Sequence, residues 1–424
     1  MLERSLRIIE RLIPKRIYRL LQPAYHFSLA LAGALRYWFP SRHLTVILVT
    51  GTKGKTSTTE ILNNILEVGG AKTAVLGTLR FKIGDKSVRN LRKMTIPGRF
   101  FVQKFLREAV SAGCTYAVLE MTSEGAKQFR QRFIEIDMLI FTNLAPEHIE
   151  SHGSYEAYRD AKLSIGRTLS RSIKPKRFMV ANADDKEAHY FLELPNVLPL
   201  PFSINDGGAI ESTENGTKLI WSGHVAHSPL PGLFNAYNII GAATAAHALN
   251  IADEVIVRGI EKTLEIQGRM ERIEEGQEFP VIVDYAHTPD SLRAVYETFK
   301  DRTKICVLGN TGGGRDTWKR PVMGGIADEY CDEIILTNED PYDEDPEAIL
   351  QAMVLGMKRK QPHFILDRNE AITYSLALAK ILPNSVVLIT GKGTDPFIMG
   401  PNGKKTPWDD RDVARKALEK MLKQ

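Results

Sequence analysis

The stretch "ILVTGTKGKTSTTEILNNIL", residues 47–66, decides how the chain is read. A β-branched apolar run reads as a buried strand, Gly51 and Gly54 let the backbone turn, and a helix is predicted from Thr56. The usual phosphate loop, G-x-x-x-x-G-K-[ST], asks for a glycine five residues before Gly54, where Val49 stands; the preceding glycine is Gly51, so this loop is shortened. Successive N–H groups of such a turn, with the positive end of the following helix dipole, suit phosphate oxygens. Lys55 would meet the β- and γ-phosphates and the Thr56 hydroxyl would join magnesium, with Thr52, Lys53, Gly54 and Ser57 completing the nucleotide contacts. A plain glycine turn opening a helix is the competing reading. Strand, glycines, Gly-Lys-Thr and helix coincide here, and that favours a nucleotide without naming the reaction.

Working outward, apolar β-rich runs alternate with helical patterns: "LTVILV", "YAVLEM", "DMLIFTN" and "FMVAN", then "VIVDY", "ICVLGN", "EIILTNE" and "VVLITGKG". The intervals suit crossover helices, which predicts an α/β fold of parallel sheets covered on both faces. Ligands lie beyond the carboxyl ends of such strands, where Thr50, Glu120, Asn143, Asp284, Asn310, Glu339 and Lys392 follow apolar runs. The expected division is a helical segment at 1–43, a central phosphate-loop domain at 44–267 and a Rossmann-like α/β domain at 268–424, with the break at Gln267 and Gly268.

A length of 424 residues, 43% hydrophobic and 25% charged, is that of an ordinary globular protein of two domains and an appendage. A net charge of +5 spread over that length argues against nucleic acid as a partner. Cys114, Cys306 and Cys331 form no C-x-x-C pair, so neither zinc nor a disulfide framework is expected, and a reducing cytoplasm fits. Near the start, Leu2, Leu6, Ile9 and Ile13 recur at helical spacing among basic residues, and "AYHFSLALAGALRYWF" follows, too short for a bilayer span. Two readings stand: a helical hairpin packed on the next domain, or a basic amphipathic segment through which residues 1–40 touch the inner membrane surface.

Glu120 ends a buried strand and needs a metal or strong hydrogen bonds. Taken alone, His148 and Lys162 in "TNLAPEHIESHGSYEAYRDAKLSI" read as structural or solvated. From about Thr45 onward, however, the motifs resemble the Mur ligases, ATP-dependent amino-acid ligases of cell-wall precursor synthesis, nearest the branch that adds the third peptide residue to UDP-N-acetylmuramoyl-dipeptide. "GTKGKTSTT" is similar to that family's shortened phosphate loop. The resemblance implies Mg²⁺ ligation by Thr56, by Glu120 of "LEMTSEG", by His148, and by Lys162 as a carbamate whose anionic oxygens suit the ion where an ammonium would repel it. Glu124 stands where the family usually has His.

"LPGLFNAYNIIGAATAA" resembles the adenine-binding helix start, which implies that Asn235 and Asn238 contact the base; "QGRMERI" and "VIVDYAHTPDSL" place Arg269 at the phosphates, Asp284 at the ribose and His287 near the nucleotide. Capping asparagines and an interdomain salt bridge are the plain alternatives. By the same resemblance Arg315 holds the incoming amino acid's α-carboxylate, Lys319 offsets phosphoryl charge, and Glu339, Asp340, Tyr342, Gly391 and Asp395 line the amino-acid pocket. Tyr342 stands where enzymes selecting meso-diaminopimelate usually carry arginine, and the acidic pocket favours a cationic side chain such as lysine.

The implied reaction forms an acyl phosphate from ATP and the acceptor carboxylate, then an amide, ADP and phosphate, with His287 a candidate base. A monomer acting on small molecules is expected. About 40 helical residues do not replace the family's uridine-nucleotide domain, so a membrane-linked acceptor is a second reading. Folylpolyglutamate synthase-type ligases, a phosphate-loop kinase or motor, and a binding protein without catalysis are the rivals.

Overall fold

The computed structural model describes residues 15–147, 149–314 and 316–423. His148 and Arg315, both expected in the site, and the periodic residues Leu2 to Ile13 lie outside the described residues. Contacts divide the chain into two compact units, one comprising Met1–Gly51, Gly70–Asn143 and Glu156–Pro201, the other Thr52–Gly69, Leu144–Tyr155 and Phe202–Gln424.

In the first unit, α1 (Lys15–Arg36) is one helix of 22 residues with Pro23 inside it. The expected hairpin is therefore not found in its described part. The helix lays Ala30, Gly33 and Ala34 against the start of a later helix, where the missing side chain of Gly33 admits the backbone of Phe100 and the side chain of Gln103. Strand β1 (Thr45–Thr50) carries the apolar run that opens the phosphate loop. The second unit begins with α2 (Lys55–Val68), one residue earlier than expected.

Beyond it come β2 (Thr73–Leu76), β3 (Arg80–Ile83), β4 (Lys86–Arg89), α3 (Arg99–Ser111), β5 (Tyr116–Glu120), α4 (Ser123–Lys127), β6 (Met138–Phe141), α5 (Ile149–His152), α6 (Tyr155–Ser170), β7 (Phe178–Asn182), α7 (Ala188–Leu192) and β8 (Leu198–Phe202). These strands form one sheet in the order β4-β3-β2-β5-β1-β6-β7-β8. The central pairs are parallel, and β1 is flanked by β5 and β6 in a register that sets Val49 beside both Glu120 and Ile140. Parallel pairing thus delivers three chain ends to one edge.

A small antiparallel sheet of β9 (Glu211–Thr213), β10 (Gly216–Trp221) and β11 (His224–Ser228) belongs to the second unit and was not legible in the sequence. The alternating burial of β10 shows why: it offers one face only, in a short run without a crossover. Helices α8 (Leu233–Ala248) and α9 (Asp253–Glu261) follow. Gly259 lets α9 approach the backbone of Ile65 on α2.

The last part of the second unit comprises β12 (Glu271–Arg272), β13 (Val281–Asp284), α10 (Pro289–Thr298), β14 (Thr303–Leu308), α11 (Lys319–Tyr330), β15 (Glu333–Leu336), α12 (Pro346–Val354), β16 (His363–Phe364), α13 (Arg368–Ile381), β17 (Ser385–Thr390), the hairpin β18 (Phe397–Met399) and β19 (Lys405–Pro407), and α14 (Asp410–Leu422). Its sheet runs β12-β13-β17-β14-β15-β16, parallel except for β12. Successive residues serve opposite faces: Cys306 and Leu308 pack with α10, α11 and α12, while Ile305 and Val307 pack with α13 and α14. The expected double covering of a parallel sheet is observed here.

The expectation of no disulfide fails for one pair, since Cys306 and Cys331 are joined. The β14-α11-β15 crossover returns the chain beside its own start and sets their Cα atoms 6.1 Å apart, a proximity that a spacing of 25 residues conceals. Cysteine spacing consequently gives no indication of compartment.

At the foot of α13, Arg368 is fully buried and grips Asp410 with Nε and Nη2, both at 2.8 Å, while Nη1 and Nη2 also reach the Asn338 and Thr390 carbonyls. Replacing Arg368 by Met strands the Asp410 charge in the core, and a loss of about 3–5 kcal/mol is expected. Chemical denaturation of R368M against wild type measures it; a loss below about 1 kcal/mol would show the pair to be incidental.

Candidate functional site

In the first unit the loop starts at Gly51, whose φ of +152 is left to glycine and whose α-carbon faces the Thr142 hydroxyl so closely that no Cβ fits. Helix α6 brings Lys162 to this point: its side chain is buried and Nζ donates 2.8 Å to the Gly51 carbonyl, with the Tyr158 ring 4.8 Å away. At the end of β5, Glu120 accepts from the Thr78 amide and the Thr78 hydroxyl, both at 2.8 Å. That hydroxyl in turn accepts from Thr95 Oγ1 at 3.0 Å. Glu120 is thus held by hydrogen bonds, as its burial requires.

The second unit holds the rest of the loop. Thr52 Oγ1 accepts from the Ala145 amide at 3.0 Å, and Lys55 Nζ donates to the Thr52 carbonyl at 2.9 Å. Gly54, at φ +81, leaves no room for a Cβ beside Asn238 Oδ1. Asn238 Nδ2 donates to Asn235 Oδ1 at 3.0 Å, and Asn235 donates to the Pro231 carbonyl at 2.8 Å. Both asparagines are buried, and their mutual bond fixes the α8 start against the loop.

Lys53 meets Glu147 at 3.2 Å, and the same carboxylate oxygen lies 3.0 Å from His287 Nε2. His287 Nδ1 lies 2.7 Å from the Tyr285 carbonyl, so neither ring nitrogen is open to a substrate amine in this conformation, contrary to what a free base needs. Burial first, then the Lys53 and Lys319 cations, lower the His287 pKa to about 4. Lys319 donates to the His287 carbonyl at 3.1 Å. Glu147, one residue before His148, was missed in the sequence because a carboxylate in a polar loop carries no periodic signal.

Asp284 accepts from the Met270 and Ala286 amides, both at 2.7 Å, which fixes the turn after β13; burial pushes its carboxyl upward, opposed by Arg269. Arg269 lies over the Tyr285 ring at 4.4 Å. Among the pocket residues, Lys392 Nζ reaches Asp340 at 2.8 Å, Asp395 at 3.0 Å and the Phe397 carbonyl at 2.6 Å. This corrects the expectation of an acidic pocket: two of its three carboxylates share a buried ammonium, and Asp340 also accepts from the Met399 amide at 2.8 Å. Glu339 differs. One oxygen accepts from Thr311 Oγ1 at 2.8 Å, while the other is buried without a partner against Gly391. Burial raises its carboxyl and Lys319 opposes the rise. Tyr342, at φ +53, is tied through its amide to the Met399 carbonyl at 3.0 Å.

Comparison with known proteins gives two family matches, the Mur ligase middle domain over residues 49–246 and the Mur ligase, glutamate ligase domain over residues 268–393. The UDP-N-acetylmuramoyl-L-alanyl-D-glutamate–2,6-diaminopimelate ligase of Bacillus licheniformis is 37% identical over 404 residues, covering 92% of this chain and 82% of that one. The UDP-N-acetylmuramyl-tripeptide synthetase of Roseiflexus sp. is 34% identical, covering 94% and 83%. A solved structure of a UDP-N-acetylmuramoyl-L-alanyl-D-glutamate–2,6-diaminopimelate ligase matches with a TM-score of 0.60 at 29% identity, over 89% of this chain and 79% of that one. Mycobacterium tuberculosis folylpolyglutamate synthase complexed with ADP matches with a TM-score of 0.70 at 16% identity, over 93% and 94%, a likeness of fold alone.

The lowered His287 pKa has a consequence for stability. Unfolded, the ring takes up a proton at its ordinary pKa of 6.5; folded, it resists until about 4. The unfolded state therefore binds more protons across that window, and stability is lost as pH falls through it. Denaturation midpoints measured from pH 7.5 down to about 5 should decline, and less steeply in His287→Gln. An identical decline in that variant would rule out this source.

Proposed function

Because the chain belongs to the Mur ligase family, ATP-dependent ligases that form amide bonds in peptidoglycan synthesis, we propose that it joins an amino acid to the terminal carboxylate of UDP-N-acetylmuramoyl-dipeptide or a related wall precursor. The observation that carries this reading is the buried Lys162 amine on the Gly51 carbonyl at 2.8 Å. Carbamylation of that amine leaves one N–H for the same carbonyl and adds anionic oxygens of the kind Mg²⁺ takes. Thr56, Glu120 and His148 complete the proposed ligand set, and the ion's chemistry is to neutralise charge on the phosphates.

In this reading Thr52, Lys53, Gly54, Lys55, Thr56 and Ser57 hold the phosphates, Asn235 and Asn238 the base, Asp284 the ribose, and Arg269 the phosphate side of the 267–268 domain boundary. The acceptor carboxylate oxygen bonds to the γ-phosphorus of ATP as the bridging oxygen leaves with ADP. Lys55 and Lys319 oppose the charge that develops. The incoming amine then attacks the acyl carbon, phosphate departs, and the amine loses a proton. Arg315 takes the amino acid's α-carboxylate, and the open oxygen of Glu339, with Tyr342 in place of an arginine, supports a lysine-like substrate over meso-diaminopimelate.

Phosphate release measured with UDP-N-acetylmuramoyl-dipeptide and a panel of amino acids tests the reading. Release should require both acceptor and amino acid, and Lys162→Met should lower it about a hundredfold or more. Release with ATP and acceptor alone, or an undiminished variant, would point to another enzyme class.

We place the enzyme in the cytoplasm at the inner membrane surface. No helix among the described residues is long and apolar enough to cross a membrane. On the face of α1 away from Ala30 and Ala34, Leu21, Tyr25 and Leu35 are exposed, and Trp38 just beyond the helix is 79% exposed. No acidic residue occurs between Glu10 and Glu60, while Arg36 and Arg42 flank the tryptophan. Such a surface suits anionic headgroups. Flotation with vesicles containing phosphatidylglycerol should carry the full chain and lose Leu35→Glu/Trp38→Glu; equal flotation of both would end the membrane assignment.

A further inference from the structure

Glu339 follows β15 with one oxygen bonded and the other open, and the loop after β14 is what makes the two oxygens unequal. Residues 311–314 of that loop run alongside residues 339–344. Thr311 and Asp340 form a parallel bridge, and the Gly312 amide donates to the Asp340 carbonyl at 2.8 Å. Gly312 has no room for a Cβ beside the Pro341 carbonyl, so the two segments lie backbone against backbone. The Gly314 amide donates to Glu344 Oε1.

Thr311 is held at both of its oxygens. Its carbonyl accepts from Arg320 Nη2 at 3.3 Å, and the same nitrogen donates to Glu344 Oε2 at 2.8 Å. Its hydroxyl donates to Glu339 Oε1 at 2.8 Å. Arg320 is buried in the first turn of α11, where the ion pair with Glu344 fixes it. A planar guanidinium gripped by a carboxylate is a stiff support for the carbonyl it reaches.

The plain reading is a loop braced for stability, with the hydroxyl doing no more than satisfying a buried acceptor. The state of Glu339 speaks against it. This residue is only 4% exposed, yet Oε2 has no partner. That oxygen faces Gly391, at φ +109, where a Cβ would overlap it and fill the space beside it. A carboxylate buried only for structure would use both oxygens, as Asp284 does with two amides. Thr311 instead occupies one oxygen, restricts rotation of the carboxylate and so aims the other. Burial raises the Glu339 carboxyl most; Lys319 opposes the rise, Asp340 adds to it, and Lys392 and the Thr311 hydroxyl oppose it. Tyr285 and Arg368 also lie within reach of its charge.

We propose that Thr311 is a positioning residue for amino-acid selection: its hydroxyl holds Glu339 so that Oε2 meets the cationic side chain of the incoming amino acid. The proposal rests on the reading above in which Glu339 receives that side chain. It adds that the receiving oxygen is chosen by a residue from the loop of a neighbouring strand.

Two measurements on the full chain decide it. The first needs no turnover. Carboxyls of ¹³C-labelled glutamate are followed by NMR against pH, with Glu339 assigned as the signal lost in Glu339→Gln. Thr311→Val removes the hydroxyl and keeps the branched shape, so the carboxyl should titrate at higher pH than in wild type, and Thr311→Ser should bring it back. A carboxyl that titrates alike in Thr311→Val and wild type overturns the assignment.

The second is turnover with ATP, UDP-N-acetylmuramoyl-dipeptide and lysine. Thr311→Val should raise the KM for lysine about tenfold, with the KM values for ATP and acceptor within about twofold, and Thr311→Ser should recover part of the loss. The effect should vanish when Thr311→Val is made in Glu339→Gln, because the hydroxyl acts through that carboxylate. Folded Thr311→Val protein with an unchanged lysine KM refutes the positioning role. Lysine inert with wild type, or an unchanged lysine KM in Glu339→Gln, refutes the pocket reading instead, and the titration still decides by itself whether Thr311 holds Glu339.

Discussion

The close approach at Gly51 is the constraint from which the first unit's arrangement follows. At φ +152, facing the Thr142 hydroxyl, the chain leaves β1 along a path open to no other residue. Parallel pairing then does the assembling. Because β5 and β6 flank β1 with Val49 beside Glu120 and Ile140, the strand ends carrying Thr50, Glu120 and Thr142 arrive together. Cross-links seal that edge: Thr50 Oγ1 donates to the Met121 carbonyl at 2.9 Å, and the Thr142 amide donates to the Thr50 carbonyl at 3.0 Å. Lys162 enters from α6 and meets a carbonyl that the glycine has turned toward it. A bulkier residue at 51 would displace Thr142 and with it the frame on which Glu120 and Lys162 are set.

The second unit repeats the same geometry with different chemistry. Asp284 ends β13, and Asn310, Glu339 and Lys392 follow β14, β15 and β17, so the carboxyl edge of a parallel sheet again gathers the polar groups. Here buried charge is almost everywhere matched. Lys392 spends its donors on Asp340, Asp395 and a carbonyl, and Glu147 is shared by Lys53 and His287. The unmatched oxygen of Glu339 stands out against that background.

Much of this was readable in advance. All eight apolar runs quoted from the sequence are strands, since a parallel strand buried on both faces writes a continuous hydrophobic stretch with a crossover helix on either side. The glycines of the shortened loop were readable because only glycine tolerates their backbone. Strands β9 to β11 and the hairpin of β18 and β19 were not: they are short, half-exposed and antiparallel. The disulfide, the Lys392–Asp340 pair and the Glu147–His287 bridge join residues 25 to 140 positions apart, and no local pattern records such pairings. Composition misled at the pocket for the same reason. Counting carboxylates near Pro341 gave an acidic site, whereas the compensating ammonium arrives from the end of another strand.

Charge compensation also differs among the buried cations. Arg368 is buried against Asp410, and Arg411 holds Asp409 at 2.7 Å and Glu271 at 3.4 Å; each has its counter-charge within the fold, so each is satisfied in the isolated protein. Arg99 and Arg130 are fixed as firmly, yet by the carbonyls of Gln128 and Ile96 and the side-chain amide of Gln128. A carbonyl orients a guanidinium without neutralising it. Around Arg130 the Glu124 carboxylate offsets part of the cost of burial without a direct bond. In a chain that elsewhere matches buried charge so closely, that difference separates a cation bonded to its counter-charge from one that only feels it at a distance.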